Sequence, residues 1–260
     1  MTRFIAIFVL PIRYRMKRAA DKSVIEELQK QILKLQGNQS LSDPNQSLGL
    51  GAIEHAFPGQ VFPRAAVHEF ISLSPESAAS TSGFLSVLLQ ALLPQNGSCL
   101  WISTRRTIFP PALKTFGIEP DQILFVDVDT VKDALWATEE ALKCNALTAV
   151  VGEFTAFTFD ESRRLQLAVE QSRVTGFIHR FKPKIENTVA CASKWKITPL
   201  GSDAPDQLPG MGFPRWNINL VKARNGKPGS WQVQWSASGG LQYIVPKEQT
   251  VPNTYSRQTG

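Results

Sequence analysis

Strand-like and helix-like segments alternate from Leu50 to about Phe181, and this alternation restricts the fold more than any other feature of the sequence. Five short apolar segments have the pattern of strands, namely "AVHEFISL", "SCLWIS", "QILFVDV", "TAVVGEF" and "GFIHRF". Four segments with helical spacing follow strands, namely "SGFLSVLLQALL", "PPALKTFG", "TVKDALWATEEALKC" and "DESRRLQLAVEQS". Because strands that alternate with helices pack as a mainly parallel sheet with helices on its faces, the sequence predicts an α/β fold.

The pattern changes after Lys182, where apolar and polar residues alternate as in half-buried strands. The segment "KWKITPL" is followed by two alternating segments that the turn pair Asn225-Gly226 joins, which predicts a C-terminal antiparallel hairpin. We interpret its tryptophans as one buried face, with a partner-binding patch as the alternative; they are Trp216, Trp231 and Trp235. We interpret the basic residues beside the turn as a solvated rim, with contact to a phosphate backbone as the alternative; they are Lys222, Arg224 and Lys227.

A separate helix is predicted over residues 16–36. Ser23 and Glu26 fit a capping box, and four apolar residues then recur at helical spacing; they are Ile25, Leu28, Ile32 and Leu35. The polar residues 37–47 are predicted to be a linker. The apolar stripe is expected to be buried, either against this chain's own core or against another subunit.

The other boundaries follow from composition. Residues 48–245 are predicted to form the main domain, and the polar residues 246–260 a disordered tail. The apolar run from Phe4 to Leu10 is too short to span a bilayer, and no cleavage site follows it. We interpret residues 1–15 as a non-native or disordered extension that precedes a start at Met16, and we expect a cytoplasmic protein without a membrane segment.

Net charge gives a weak indication of partners, and neither the cysteines nor the histidines indicate a metal site. The net charge of +6 fits a weak attraction to nucleic acid or an acidic partner. The three cysteines, Cys99, Cys144 and Cys191, are odd in number and have no zinc-ligand spacing. The three histidines, His55, His68 and His179, are widely separated, so we assign them no catalytic role. Asp127 and Asp129 lie at the C-terminus of a predicted strand, but no companion group indicates a chemistry.

The segment "SPESAAST", from Ser74 to Thr81, lies where a phosphate-binding loop would lie, between an apolar strand and a helix. Such a loop binds an anion through successive backbone N–H groups and a helix N-terminus, and its glycines permit the close approach. A lysine then contacts the terminal phosphates and a Ser or Thr holds magnesium. Here the frame is present but the glycine and lysine are missing.

This segment resembles the loop G-P-E-S-S-G-K-T of the RecA family, with Pro75, Glu76, Ser77 and Thr81 in place. The resemblance covers about residues 48–159 and implies a RecA-like P-loop NTPase core. Among the positions that depart from the loop pattern, Ser74 and Ala79 replace glycines and Ser80 replaces the lysine. Arg105 stands where the family has the glutamate that positions the attacking water, and an arginine cannot act as that base.

The departures predict a chain that is not an enzyme and has no cofactor. Thr81 and Glu153 remain as groups that could support magnesium, but phosphate binding and water activation are lost. The alternative is ATP bound without hydrolysis.

A closer resemblance is to the ImuA family of RecA-like (SulA-like) mutagenesis accessory proteins, through "LGLGAIEHAFPG", "DALWATEEALKCNALTAVVGE", "SRRLQLAVEQSRVTGF" and "PRWNINLVKARNGKPGSWQVQW". The resemblance implies a non-catalytic adaptor in SOS-induced error-prone translesion DNA synthesis. The implied partners are an inactive Y-family polymerase homologue, a C-family error-prone polymerase and the RecA filament, with DNA contacted indirectly or weakly. Arg163 and Arg164 begin the "SRRLQLA" segment, where partner recognition competes with an ordinary surface role.

Two further functions stay open at this point. One is a SulA-type cell-division inhibitor, and the other is a RecA-like ATPase or DNA-binding protein. Within the adaptor hypothesis, the helix of residues 16–36 is expected to contact a RecA filament through its apolar stripe.

Overall fold

The computed structural model describes residues 14–16, 47–95, 97–202 and 212–244. They form a ten-stranded sheet, three α-helices and short 3-10 turns. The strands are β1 (Tyr14–Met16), β2 (Val67–Ser72), β3 (Cys99–Ser103), β4 (Ile123–Val128), β5 (Ala149–Phe154), β6 (Thr175–Phe181), β7 (Ser193–Leu200), β8 (Arg215–Ala223), β9 (Gly229–Ser236) and β10 (Gly240–Tyr243). The helices are α1 (Pro75–Leu92), α2 (Val131–Leu142) and α3 (Phe159–Ser172).

The strands are arranged in the order β1-β4-β3-β5-β6-β2-β7-β8-β9-β10. Neighbouring strands are parallel from β1 to β7, and β8, β9 and β10 extend the sheet as antiparallel neighbours. The predicted mainly parallel sheet with helices and a C-terminal antiparallel hairpin is therefore confirmed. The parallel strand β5 is buried along its whole length, which explains why its sequence is a nearly continuous apolar run.

Two hydrophobic cores lie on the two faces of the sheet. One core joins α1 to the sheet through residues such as Phe84, Phe70 and Trp195, whose rings are in contact. The other joins α2 and α3 to the opposite face through residues such as Leu142 and Ile178. Since side chains alternate between the faces of a strand, every second residue of β2, β5 and β6 faces α1.

The hairpin of β8 and β9 packs against the first core. Asn225 adopts a left-handed conformation with φ of 56°. A Cβ at Gly226 would lie 2.3 Å from the carbonyl oxygen of Ala56, so only glycine fits this close approach. Trp216 is 4% exposed, and a Cβ at Gly83 of α1 would lie 2.8 Å from its ring. The packing interpretation of Trp216 therefore agrees with the structure, and Trp231 packs at the edge of the same core.

Part of the N-terminal segment joins the sheet. Strand β1 pairs in parallel with β4, with Tyr14 opposite Val126 and Met16 opposite Val128. The end of the predicted extension 1–15 thus forms a strand, because β4 offers it an unpaired edge. The predicted helix of residues 16–36, apart from Met16, and its stripe of Ile25, Leu28, Ile32 and Leu35 lie outside the described residues, as does the predicted tail 246–260.

Candidate functional site at the carboxyl end of the sheet

The carboxyl ends of β2, β5 and β6 meet the N-terminus of α1 at one edge of the sheet. In open α/β sheets this edge is where ligands bind. The degenerate phosphate-binding segment lies here, as the sequence predicts. Glu153, at the end of β5, faces α1, since Val151, two residues earlier on the same strand, packs in the core that contains α1.

The segment from Ser74 to Thr81 is not a loop. Helix α1 begins at Pro75, so this segment is the first two turns of the helix, and the predicted loop is wrong. Ser74 is the N-cap, and its Oγ accepts a hydrogen bond from the backbone N–H of Ser77 at 3.2 Å. The backbone N–H of Ala78 donates to the carbonyl of Ser74 at 3.0 Å. Backbone groups that would have to surround a phosphate are therefore used by the cap and the helix.

Local chemistry explains why the helix begins so early. A serine cap followed by proline at the first helical position is among the most favourable helix starts, and an acidic residue in the first turn complements the helix dipole. Neither Ser74 nor Ala79 is the glycine that would favour a loop conformation. These residues together favour helix from Pro75 onward.

Glu76 places a negative charge at this helix N-terminus. A hydrogen bond with the Ser74 side chain is the main reason that the pKa of Glu76 lies below its ordinary value. The carboxylate therefore stays ionised at neutral pH. An ionised carboxylate in the first turn stabilises the helix, because it complements the positive end of the helix dipole.

Four side chains behind the helix start form a buried hydrogen-bonded chain, which we call the His179 relay. His179 Nδ1 lies 3.2 Å from Glu153 Oε1, and His179 Nε2 lies 2.9 Å from Ser72 Oγ. Ser72 Oγ lies 2.9 Å from Thr81 Oγ1. A neutral imidazole satisfies every contact if Nδ1–H donates to Glu153, Ser72 donates to Nε2 and Thr81 donates to Ser72. The two groups expected to support magnesium are thus joined through His179.

The sequence interpretation gave His179 no role because the histidine lacks metal-ligand spacing. His179 lies between a hydroxyl and a carboxylate. This is the arrangement in which an imidazole acts as a base and activates a hydroxyl nucleophile. However, Ser72 and Thr81 are fully buried and His179 is 3% exposed, so no substrate reaches the hydroxyls. The relay therefore holds α1 against β2, β5 and β6, and it satisfies polar groups that are costly to leave unpaired.

Ser80 and Arg105 stand where the RecA-family pattern has its lysine and its glutamate. The Ser80 hydroxyl donates to the carbonyl of Glu76 at 2.9 Å, and the residue is 6% exposed. Arg105 is exposed, whereas its neighbour Arg106 makes two hydrogen bonds to Asp127 at 2.9 and 3.1 Å. Arg106 also lies over the ring of Phe125, 4.6 Å from its centroid. Asp127 thus has a companion group that the sequence interpretation missed, and the pair joins the ends of β3 and β4.

Arg163 and Arg164 are exposed on α3. Arg164 forms an ion pair with Glu139 of α2, which also lies 3.1 Å from Lys143 Nζ.

In the part of the chain that the structure describes, no group of three or more His, Cys, Asp or Glu residues is arranged to hold a metal. Among the same residues, none of the helices combines the length and apolar character needed to cross a membrane.

No family model matches the chain. It is 31% identical over 208 residues to Protein ImuA of Caulobacter vibrioides, in two strains of that bacterium. The match covers 75% of this chain and 85% of the relative. An identity of this size, over most of both chains, establishes common descent. The chain belongs to the ImuA family.

Proposed function

We propose that this protein is a non-catalytic RecA-like adaptor in SOS-induced error-prone translesion DNA synthesis, and that it recruits or regulates a mutagenic polymerase complex. Membership of the ImuA family supports the link to DNA damage and mutagenesis. The proposed partners are an inactive Y-family polymerase homologue, a C-family error-prone polymerase and the RecA filament.

One observation carries the non-catalytic part of this proposal. The segment that would bind phosphate is helical from Pro75, and the groups that would hold magnesium, Thr81 and Glu153, are bonded to Ser72 and His179 instead. The RecA-like part rests on the frame that remains, a central parallel strand followed directly by a helix whose N-terminus lies at the carboxyl edge of the sheet. The proposal is that the frame was kept and the nucleotide site given up.

The exposed side of α3 is our candidate for a partner surface. Phe159 is 47% exposed and Leu167 is 52% exposed, and Arg163 lies between them at helical spacing. Residues four apart lie on the same face of a helix, so the three side chains form one apolar and basic stripe. Such a combination of an aromatic, an arginine and an aliphatic residue suits recognition of another protein.

Affinity purification from DNA-damaged cells tests the adaptor function. We expect the tagged chain to recover both polymerase-like partners, and Leu167→Glu to reduce recovery severalfold because it places a charge in an apolar contact. Phe109→Glu is the matched control, since Phe109 is 67% exposed and lies on the segment before Pro110–Phe116, away from α3. Recovery of cell-division proteins in place of polymerases would favour the SulA-type function and overturn the adaptor.

ATP binding is expected to be undetectable by calorimetry in the presence of magnesium. Ser80→Lys, which restores the missing lysine, should not create binding, because the helical N–H groups remain occupied and the ammonium would be buried at a position that is 6% exposed. Ser80→Ala is the matched control for folding, and thermal unfolding of all three proteins verifies that they are folded. A saturable heat of ATP binding in the wild type would contradict the proposed loss of the nucleotide site.

A further inference from the structure

The outer face of strands β7, β8 and β9, opposite α1, is polar and open to solvent. The aromatic residues of these strands, Trp195, Trp216, Trp231 and Trp235, all pack on the α1 side. Apart from Val221, which is 40% exposed, the outer face has mainly amide, hydroxyl and lysine side chains. Those with the most solvent contact are Thr198, Asn219, Lys222, Ser230 and Gln232.

Two lysines lie directly opposite each other on this face. Lys194 of β7 pairs with Lys222 of β8, next to an irregularity in the register at Lys194 and Trp195. Like charges that face each other across a strand pair are destabilising. The surrounding chain adds to the positive charge, since residues 182–244 contain eight basic and three acidic residues. A functional role therefore explains the lysine pair better than a contribution to stability does.

A cavity of about 190 Å³ lies beneath the two lysines. Its lining includes Glu69, Thr188, Cys191, Ser193 and the lysine pair. Among the described residues, Glu69 is the only acidic side chain that lines it. Glu69 is already engaged, because its Oε1 accepts from Arg180 Nη1 at 2.7 Å and its Oε2 lies 3.1 Å from Lys194 Nζ. Glu69 is fully buried, and the side chains of Arg180 and Lys194 are 3% and 13% exposed. Two buried cations thus share one carboxylate, and Lys222 adds a third positive charge at the cavity.

Three positive charges are thus balanced by one negative charge at this site, and an oxyanion in the cavity would compensate the excess. The cavity offers lysine ammonium groups and the hydroxyl of Thr188, which are groups that bind phosphate. Beyond the cavity, the amide side chains of Asn219 and Gln232 continue across the same face. Hydroxyl and amide groups around a basic site are typical of contacts to a sugar-phosphate backbone.

We propose that this cavity binds one phosphate of a nucleic-acid backbone, with the strand lying across the outer face of β7, β8 and β9. Because the tryptophans of these strands face α1, bases do not stack on them, and the contact is independent of sequence. The proposal goes beyond the adaptor function and does not depend on it, since the binding needs no polymerase partner.

Fluorescence anisotropy with a labelled poly-thymidine oligonucleotide tests this site. We expect the wild type to bind with an affinity that falls as salt rises. Lys222→Gln should weaken binding severalfold and reduce the salt slope by roughly one, because one phosphate contact is lost. Lys222 is exposed and makes no ion pair among the described residues, so the variant should remain folded.

Lys114→Gln is the matched control, because Lys114 is 71% exposed and lies on the Pro110–Phe116 segment, which packs against α1. It should leave both affinity and salt slope unchanged. Absence of salt-dependent binding by the wild type, or equal weakening by both variants, would overturn the site. If poly-glutamate displaces the oligonucleotide at an equal concentration of charge, the occupant is an acidic polypeptide and the proposal fails. These outcomes are independent of the purification experiment on the adaptor.

Discussion

Replacing Glu69 by glutamine is expected to lower the free energy of unfolding by about 3–5 kcal/mol. Glu69 is fully buried on β2 and is the shared partner of Arg180 on β6 and Lys194 on β7. Glutamine keeps the size of the side chain but removes the negative charge. Two buried cations would then be left without their counterion, and breaking a buried pair from one side costs far more than the pair itself contributes.

Glu186→Gln is the matched control, because Glu186 also pairs with a lysine, Lys196 at 2.9 Å, but the two side chains are 36% and 31% exposed. An exposed pair contributes about 0–1 kcal/mol, so this variant should be close to the wild type in stability. Urea denaturation followed by tryptophan fluorescence measures both variants. A Glu69→Gln variant as stable as Glu186→Gln would show that water or a bound anion relieves the cluster.

The sheet could be predicted because its strands have local signals. The segments around Phe70, Trp101 and Val151 are short apolar runs bounded by turn residues, and each became a buried strand. The β8 and β9 hairpin was likewise evident from its alternation and from Asn225-Gly226. In contrast, β1 of three residues has too little local pattern to be recognised without its neighbour β4.

Local chemistry predicts that α1 begins at Pro75, whereas the RecA-family pattern predicts a loop there, and the loop prediction is wrong. Ser74, Pro75 and Glu76 form a strong helix start. A loop in their place would need glycines to adopt it, and the segment has none. A family motif and local helix propensity can predict different structures for one segment. Here the motif residues that the chain lacks, its glycines, indicate that local propensity is the better guide.

The His179 relay could not be predicted from spacing, because it is a product of tertiary structure. Ser72, Glu153 and His179 lie on three strands that are adjacent only through the parallel register, and Thr81 approaches from α1. The buried cluster around Glu69 has the same origin. What the sequence does show is a polar residue at the end of each strand, and in a parallel sheet these ends share one edge.

Lowering the pH from 7 to about 4 is expected to destabilise the protein through His68, by up to about 3 kcal/mol. Burial lowers the pKa of His68 from 6.5 to about 4, although the hydrogen bond to the Pro63 carbonyl partly opposes this. The imidazole is fully buried against Phe62, with ring centroids 4.4 Å apart, and its Nδ1 lies 2.6 Å from Ser193 Oγ. The folded protein therefore holds His68 in the neutral form.

The unfolded chain binds a proton at His68 near pH 6.5, whereas the folded chain does so only near pH 4. As pH falls through this interval, protonation favours the unfolded state, and the stability present above pH 6.5 is lost. Denaturation at several pH values measures the effect. His68→Gln should be less stable at pH 7 and lose less stability on acidification, while His55→Gln, at an exposed position, should follow the wild type. Equal pH slopes for the wild type and His68→Gln would mean that His68 titrates alike in both states, and that this buried histidine is reached by solvent in the folded protein.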